Sequence, residues 1–600
     1  MKKQPRTITG IFVKYAPTLM LVSVLLSPGV GAQEDPGRME TDVDLKWGLE
    51  IPVEGGTILN ATLYRPDNHE DTALSTIVTI TPYISDRYHP DALYFARHGF
   101  AFLVVDTRGR GNSEGEFRPL GIEDGLDGRD IVEWVAQQSW SNGKIGMRGG
   151  SYGGYNQWVT ARYFPEHLTT IVPIASPFNG MDFPMNYNVQ YPYILRWLTL
   201  TAGATPQNRI FGDDDFWNRK YREYHTSGMA FSDLDELVGY SNPHFDEWTS
   251  HPLHDDYWAA RVPSQEEFEQ IDLPILTITG YYDGDQPGAM EYYQRHMEYG
   301  SSKAKANHYL VLGPWDHSGT RMPRQEFGGV QFGDAMMFDA FALDRDWYRW
   351  TMENGDRPEF LLDQVTYFVA GANLWKGAQS LDAISNGEMV LHLQSDSGAQ
   401  NMYESGTLSS SAAGVADIDQ YIYDPLDTTK AEIEPSDDYI TDQQEVLTIN
   451  GDGLIYHSLP FDKETEISGY LRFEAWFEMD VPDTDINVTL YEVLPDGTSI
   501  ALSGETQRAR YRHSLSEEKL MQPGIIEHFV FERFYFFSRM IARGSRLRLF
   551  IRPSNMVANQ RNYNSGGIVA METADDARIA KVKLHIGPET PSRLVLPVAN

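Results

Sequence analysis

The sequence predicts an α/β doubly wound sheet, interrupted by a helical insertion and followed by an all-β, jelly-roll-like domain. Three observations carry this reading: apolar runs alternating with helix-period segments over the first 360 residues, one long gap in that rhythm, and a change to short alternating strands near Val365. Residues 45–65 alternate like paired strands around a Gly55-Gly56 turn. Continuous apolar runs follow at Ser75–Thr81, Phe100–Asp106, Lys144–Gly149, Thr169–Ala175, Pro274–Gly280 and His308–Gly313. Strands buried on both faces read this way, and they mark a parallel sheet. Helix-period segments such as Gly125–Gln138 and Gly288–Tyr299 lie between them, which gives the βαβ alternation of a doubly wound fold.

Residues 177–270 carry no such run but are dense in Trp, Tyr, Phe and Asp, and they read as a mainly helical lid over the sheet's C-terminal edge. Beyond Val365, Glu388–Gln394, Glu466–Phe477, Asp485–Glu492, Arg546–Arg552 and Ile579–Ile586 form the pattern of a jelly roll, while Asp417–Asp442 is acidic and reads as loop-rich. The expected units are a signal peptide at 1–32, an α/β core at 40–176 and 271–360, the lid at 177–270 and the jelly roll at 361–600.

Six hundred residues exceed a single core, and 41% hydrophobic residues describe a globular chain. With 85 acidic against 49 basic residues the net charge is −36, which argues against nucleic acid or an anionic membrane as a partner. Lys2, Lys3, Arg6 and Lys14 precede an apolar stretch from Pro17 to Pro28, and Val30-Gly31-Ala32 offers a cleavage signal. The expectation is a periplasmic or secreted protein cleaved after Ala32. No cysteine is present, so disulfides, thiol catalysis and cysteine metal sites are excluded. His251-x-x-His254 beside Asp255 and Asp256 is better read as a histidine-bearing loop than as a metal site, and no metal or other cofactor is expected.

The run Gly149-Gly150-Ser151-Tyr152-Gly153 fits G-x-S-x-G, the sharp strand-to-helix turn that lifts a nucleophilic serine out of an α/β sheet. A glycine-rich turn is the plain alternative. Partners decide between them. In the hydrolase order Ser, Asp, His, each residue should follow a core strand, and Asp283 and His317 do so after Pro274–Gly280 and His308–Gly313. Three such residues in the right order make Ser151, Asp283 and His317 the candidate nucleophile, acid and base.

With these motifs in hand, the chain resembles the X-Pro dipeptidyl-peptidase and cocaine-esterase-like hydrolases, which include the α-amino-acid ester hydrolases. The resemblance is carried by Thr81-Pro82-Tyr83, Asp106–Gly111, Gly149–Gly154, Gly280–Asp283 and Gly313–Ser318. It implies an α/β-hydrolase core with lid and jelly roll, a Ser151-His317-Asp283 triad, and an oxyanion held by the Tyr83 hydroxyl and the Tyr152 N–H. It also implies a small ester, amide or short peptide as substrate; a homo-oligomer is left open. The family splits among cleavage after proline, hydrolysis of amino-acid esters and β-lactam amides, and cleavage of aromatic esters. Where amino-acid ester hydrolases place two adjacent acids to hold a substrate ammonium, this chain keeps only Asp285. That residue could bind the α-amine, or simply be a solvated acid or a partner for the helix opened by Pro287. Arg108 is expected in a buried ion pair. A carbohydrate-binding role for the jelly roll is the reading of a different class, and exposed aromatic residues would be its sign.

Overall fold

The computed structural model describes residues 42–67 and 72–599, and the described chain forms one compact unit. The expected signal peptide lies outside the described residues. Ten strands make the core sheet: β1 (Val43–Pro52), β2 (Ile58–Pro66), β3 (Leu74–Thr81), β4 (Ala101–Asp106), β5 (Ser141–Gly150), β6 (Leu168–Ile174), β7 (Ile275–Gly280), β8 (His308–Gly313), β9 (Val365–Val369) and β10 (Leu374–Ala378). Their order is β1-β2-β4-β3-β5-β6-β7-β8-β9-β10. Pairing is parallel from β4 through β9, while β1–β2, β2–β4 and β9–β10 are antiparallel. Every residue of β3, β4 and β7 is buried, which is why these strands read as unbroken apolar runs.

Helices Glu123–Ala136, Tyr152–Ala161, Gln286–Tyr299 and Ala340–Glu353 connect or cover the strands. All ten residues of Tyr152–Ala161 are buried. The stretch between β6 and β7 carries seven helices, from Tyr193–Leu200 to Gln265–Gln270, and one hairpin of two-residue strands at Met185–Asn186 and Val189–Gln190.

One expectation needs correction. The core sheet runs past residue 360 to Ala378, because β9 pairs in parallel with β8, and β10 closes the edge. β10 lies at the sheet's edge with Ala378 as its one buried residue, so it carries no continuous apolar run and reads like jelly-roll texture. Asp417–Asp442 is loop-rich after its first seven residues: Asp417–Tyr423 is a strand, paired antiparallel with Ala580–Ile586. Its alternation is masked because Ile418 and Ile422 face solvent while Asp419 is buried. The remaining strands form one connected thirteen-stranded β network whose cluster of buried apolar residues is continuous with that of the core. In it, β11 (Asp485–Val493) pairs with β12 (Ser499–Arg508). Among the described residues no helix is long and apolar enough to cross a membrane.

Candidate active site

Ser151 stands between β5 and the helix Tyr152–Ala161 with φ 59° and ψ −125°, the left-handed side of backbone space that a non-glycine residue rarely adopts. Its N–H is held by Ile174 O on β6 at 2.9 Å. The surrounding glycines answer to close approach. A Cβ on Gly149 would sit 3.0 Å from the Gly153 backbone, and one on Gly154 would strike Ser176. Gly153 itself has room, since its Cβ would meet only Ile80 O at 3.8 Å. Gln157 braces the turn: its amide donates to Gly149 O (3.1 Å) and Gly153 O (2.8 Å) and accepts from Val172 N–H (2.8 Å).

Asp283 and His317 follow the adjacent strands β7 and β8, which brings them together. His317 Nδ1 lies 2.8 Å from Asp283 Oδ1. Asp283 is fully buried, and the same oxygen accepts the Asp285 N–H at 3.0 Å. A carboxylate cannot donate, so the Nδ1 carries the proton and Nε2 is left as an acceptor. Burial acts to lower the His317 pKa, but the charges of Asp283 and Asp285 outweigh it, and the net shift is upward. Ligand atoms of Asp283, Asp285 and His317 lie within 4.8 Å of one another, a spacing a metal could use. The short Nδ1 contact instead commits that nitrogen to a proton bridge. His251 is bonded to Asp255 at 2.7 Å and His254 stacks on Phe178, so the two do not converge as a ligand set.

Ser151 and His317 line one cavity of about 640 Å³, together with Tyr83, Tyr152 and Asp285. No hydrogen bond joins the Ser151 hydroxyl to His317; the Tyr83 phenol is its neighbour instead. Catalytic hydrogen bonds are commonly long before substrate binds. Tyr83 follows β3. Its oxygen accepts from Trp197 Nε1 at 3.0 Å, which leaves the phenol proton free to donate. Burial pushes its pKa up to about 12, so it stays a donor at neutral pH. The Tyr152 N–H opens a helix and has no intrahelical acceptor. The Tyr152 ring is fixed by hydrogen bonds to Asp124 (2.6 Å) and from Leu120 N–H (3.0 Å), and it stacks on Trp197.

Asp285 precedes the helix Gln286–Tyr299 without capping it by its side chain, and its Oδ2 lies 3.6 Å from His317 Nδ1. Burial raises its pKa well above the usual range, with the His317 charge opposing. Arg108 pairs with Asp127 at 2.5 Å, away from the cavity lining.

Sequence reasoning missed four contributors. Trp197 comes from the insertion, and Asp182, also in the cavity wall, lies 31 positions after Ser151. Tyr535 and Glu505 come from the jelly roll. That domain also grips the acid turn, because Gln286 donates to Phe536 O (3.0 Å) and accepts Phe536 N–H (2.6 Å). An isolated Trp or Glu carries no periodic signal; a charged residue at a buried strand position is the one hint available for Glu505. Of the aromatic residues in the jelly roll, only Tyr403 and Tyr439 are strongly exposed among the described residues, and Tyr439 packs edge-on against Phe327, so no aromatic platform for sugar is formed.

Comparison with known proteins follows the same division of the chain. Residues 55–319 match the family model for X-Pro dipeptidyl-peptidase (S15 family), and residues 361–595 match that for the X-Pro dipeptidyl-peptidase C-terminal non-catalytic domain. A cocaine esterase from Rhodococcus sp. (strain MB1 Bresler) is 27% identical over 579 residues, covering 91% of this chain and 97% of that protein. Among solved structures, an aminopeptidase from a marine-sediment Thaumarchaeota archaeon aligns with TM-score 0.79 at 19% identity over 95% of this chain and 99% of its own. An α-amino acid ester hydrolase aligns with TM-score 0.78 at 20% identity, covering 97% and 100%.

Proposed function

Because the chain belongs to the X-Pro dipeptidyl-peptidase (S15) family of hydrolases, we propose that it is an exported serine hydrolase acting through Ser151, His317 and Asp283. The observation that carries this reading is the 2.8 Å His317–Asp283 pair in a cavity that the strained Ser151 also lines. Ser151 Oγ attacks the scissile carbonyl while His317 Nε2 takes its proton, and buried Asp283 holds the tautomer and stabilises the imidazolium. The oxyanion takes hydrogen bonds from the Tyr83 hydroxyl and the Tyr152 N–H, both fixed before the reaction begins. His317 then protonates the leaving group, and water, deprotonated by the same nitrogen, releases the acyl group.

The substrate is an ester, amide or short peptide with a free α-amine, as in X-Pro dipeptidyl-peptidase or amino-acid ester hydrolase activity. Asp285 supports this, since it stands at the acyl site with no capping duty and a carboxylate there suits an ammonium. A plain esterase without amine recognition is the second reading, favoured by the full-length similarity to a cocaine esterase. The test is a fluorophosphonate label with peptide mapping, run beside Ala-Pro and Gly-Pro anilides, phenylglycine methyl ester, a cephalosporin ester and aryl acetates. Labelling of Ser151 with preference for the amine-bearing members is the expected result; an unlabelled Ser151 overturns the reading. Sequencing the N-terminus of periplasmic or secreted material tests cleavage after Ala32.

A further inference from the structure

Three carboxyl groups line the cavity, and the chemistry above uses one of them. Asp182 is committed to backbone, because its two oxygens accept the N–H groups of Phe178 (2.8 Å) and Gly288 (2.6 Å). Asp285 stands beside His317. The third is Glu505, on β12 of the jelly roll. It is 4% exposed, its Oε2 accepts the Arg533 N–H at 2.7 Å, and its Oε1 has no hydrogen-bond partner.

The strand is built to bring it there. Opposite β11 the register moves from Leu490↔Ser503 to Tyr491↔Ala501, which leaves Leu502 as an extra residue. On one side of this bulge Ile500 and Leu502 are buried; on the other, Ser503, Glu505 and Gln507 are. A one-residue bulge exchanges the two faces of a strand, and bulges often re-aim side chains next to active sites. Continued alternation would have set Gly504 opposite Val488 and Glu505 opposite Asn487, and Asn487, Gly504 and Thr506 line the same cavity beside Glu505.

We propose that Glu505 is a second amine-binding residue of this cavity, which fits it to acyl groups carrying a side-chain cation, the esters, amides or peptides of basic amino acids. The proposal rests on the hydrolase reading of the same site. An apolar side chain against this wall would leave a carboxyl oxygen unpaired, whereas an ammonium supplies the missing donor. The Tyr191, Tyr193 and Tyr535 rings in the same cavity add aromatic surface that suits a cation. The charged groups around Glu505 are Arg533 and Glu532, with the Tyr187 phenol across from it. The Arg533 guanidinium lies over the Tyr187 ring, 5.6 Å from its centre, and forms no ion pair with Glu505. Burial lifts the Glu505 pKa to about 8, so at pH 7 the empty site holds a neutral carboxyl. Binding an ammonium then ionises it and sends one proton to solvent, and an ammonium–carboxylate pair remains.

Lysine and norleucine derivatives test this, because they differ only by the terminal amine. The wild-type protein should hydrolyse the lysyl methyl ester about 10–100-fold faster in kcat/KM than the norleucyl ester, as a charge-assisted contact would give. Glu505→Gln, which keeps the shape and the Arg533 contact, should bring that ratio close to one. In parallel, lysinamide and norleucinamide are titrated calorimetrically into Ser151→Ala at pH 7 in two buffers of different ionisation heat. Lysinamide should bind more tightly and release more protons, and the excess should vanish on adding Glu505→Gln. Equal rates on both esters, or equal losses on both in Glu505→Gln, overturn the proposal. If neither ester is cleaved the hydrolase reading falls, and the amide titration still decides Glu505.

Discussion

The two walls of the cavity are built on different principles. On the core wall Ser151, Asp283 and His317 each end a buried strand, and backbone bonds such as Ser151 N–H to Ile174 O fix them. On the jelly-roll wall Glu505 and Tyr535 are side chains of a second β network, joined to the acid turn through Gln286 and Phe536, 250 positions apart. The first arrangement places atoms for one reaction and tolerates little displacement. The second decides what lies against those atoms. Under the proposed function, the reacting groups belong to the core wall and recognition of a side-chain cation to the jelly-roll wall.

The most severe break to the core wall is Ser151→Ala. It should lower kcat by about 10⁴–10⁶-fold with folding intact, read by turnover and circular dichroism. Tyr83→Phe keeps the ring and removes the phenol donor, so kcat should fall by roughly 10²–10³ with KM little changed. A change confined to KM would make Tyr83 a pocket wall. Asp285→Asn sits where the two walls meet. It should cost about 10–100-fold in kcat/KM for Ala-Pro or phenylglycine substrates and little for N-acetylated ones. Equal losses on both sets would remove amine recognition from Asp285. Trp197→Phe deletes the bond that orients the Tyr83 hydroxyl and trims the ring stacked on Tyr152, and kcat should drop at least about fivefold, the equivalent of one ordinary hydrogen bond of ~1 kcal/mol.

The pH profile gives the finest discrimination. His317 must be neutral to act as base, and its pKa is raised, so kcat/KM should fall as pH drops through a value above the usual 6.5 of histidine. Asp285 contributes to that rise, so Asp285→Asn should move the inflection toward lower pH even with N-acetylated substrates. An unmoved inflection would separate Asp285 from the base electrostatically.

The core wall was largely readable from sequence because parallel strands announce themselves as apolar runs. Ser151, Asp283 and His317 each follow one, whereas Tyr83 and the Tyr152 N–H entered through the family resemblance. The pattern failed at the sheet's far edge, where β9 is a short buried run of five residues and β10 is largely exposed, so both were assigned to the wrong sheet. It could not reach Trp197, 114 positions from the oxygen it orients, since that pairing depends on how the insertion folds back over the sheet. Glu505 was hidden more thoroughly. Alternation counted from Ile500 places it on the outer face, and nothing in the local composition marks Leu502 as the residue that slips the count.

That extra leucine has a consequence for descent. Loss of the single codon for Leu502 would leave Ala501 opposite Tyr491 and Ser503 opposite Leu490, so β11 and β12 would pair without a bulge and Glu505 would stay opposite Val488. A one-residue change in chain length is thus absorbed at the bulge, and the cavity wall beyond it keeps its residues in place. Relatives one residue shorter at this point would keep both the reacting groups and the buried carboxyl.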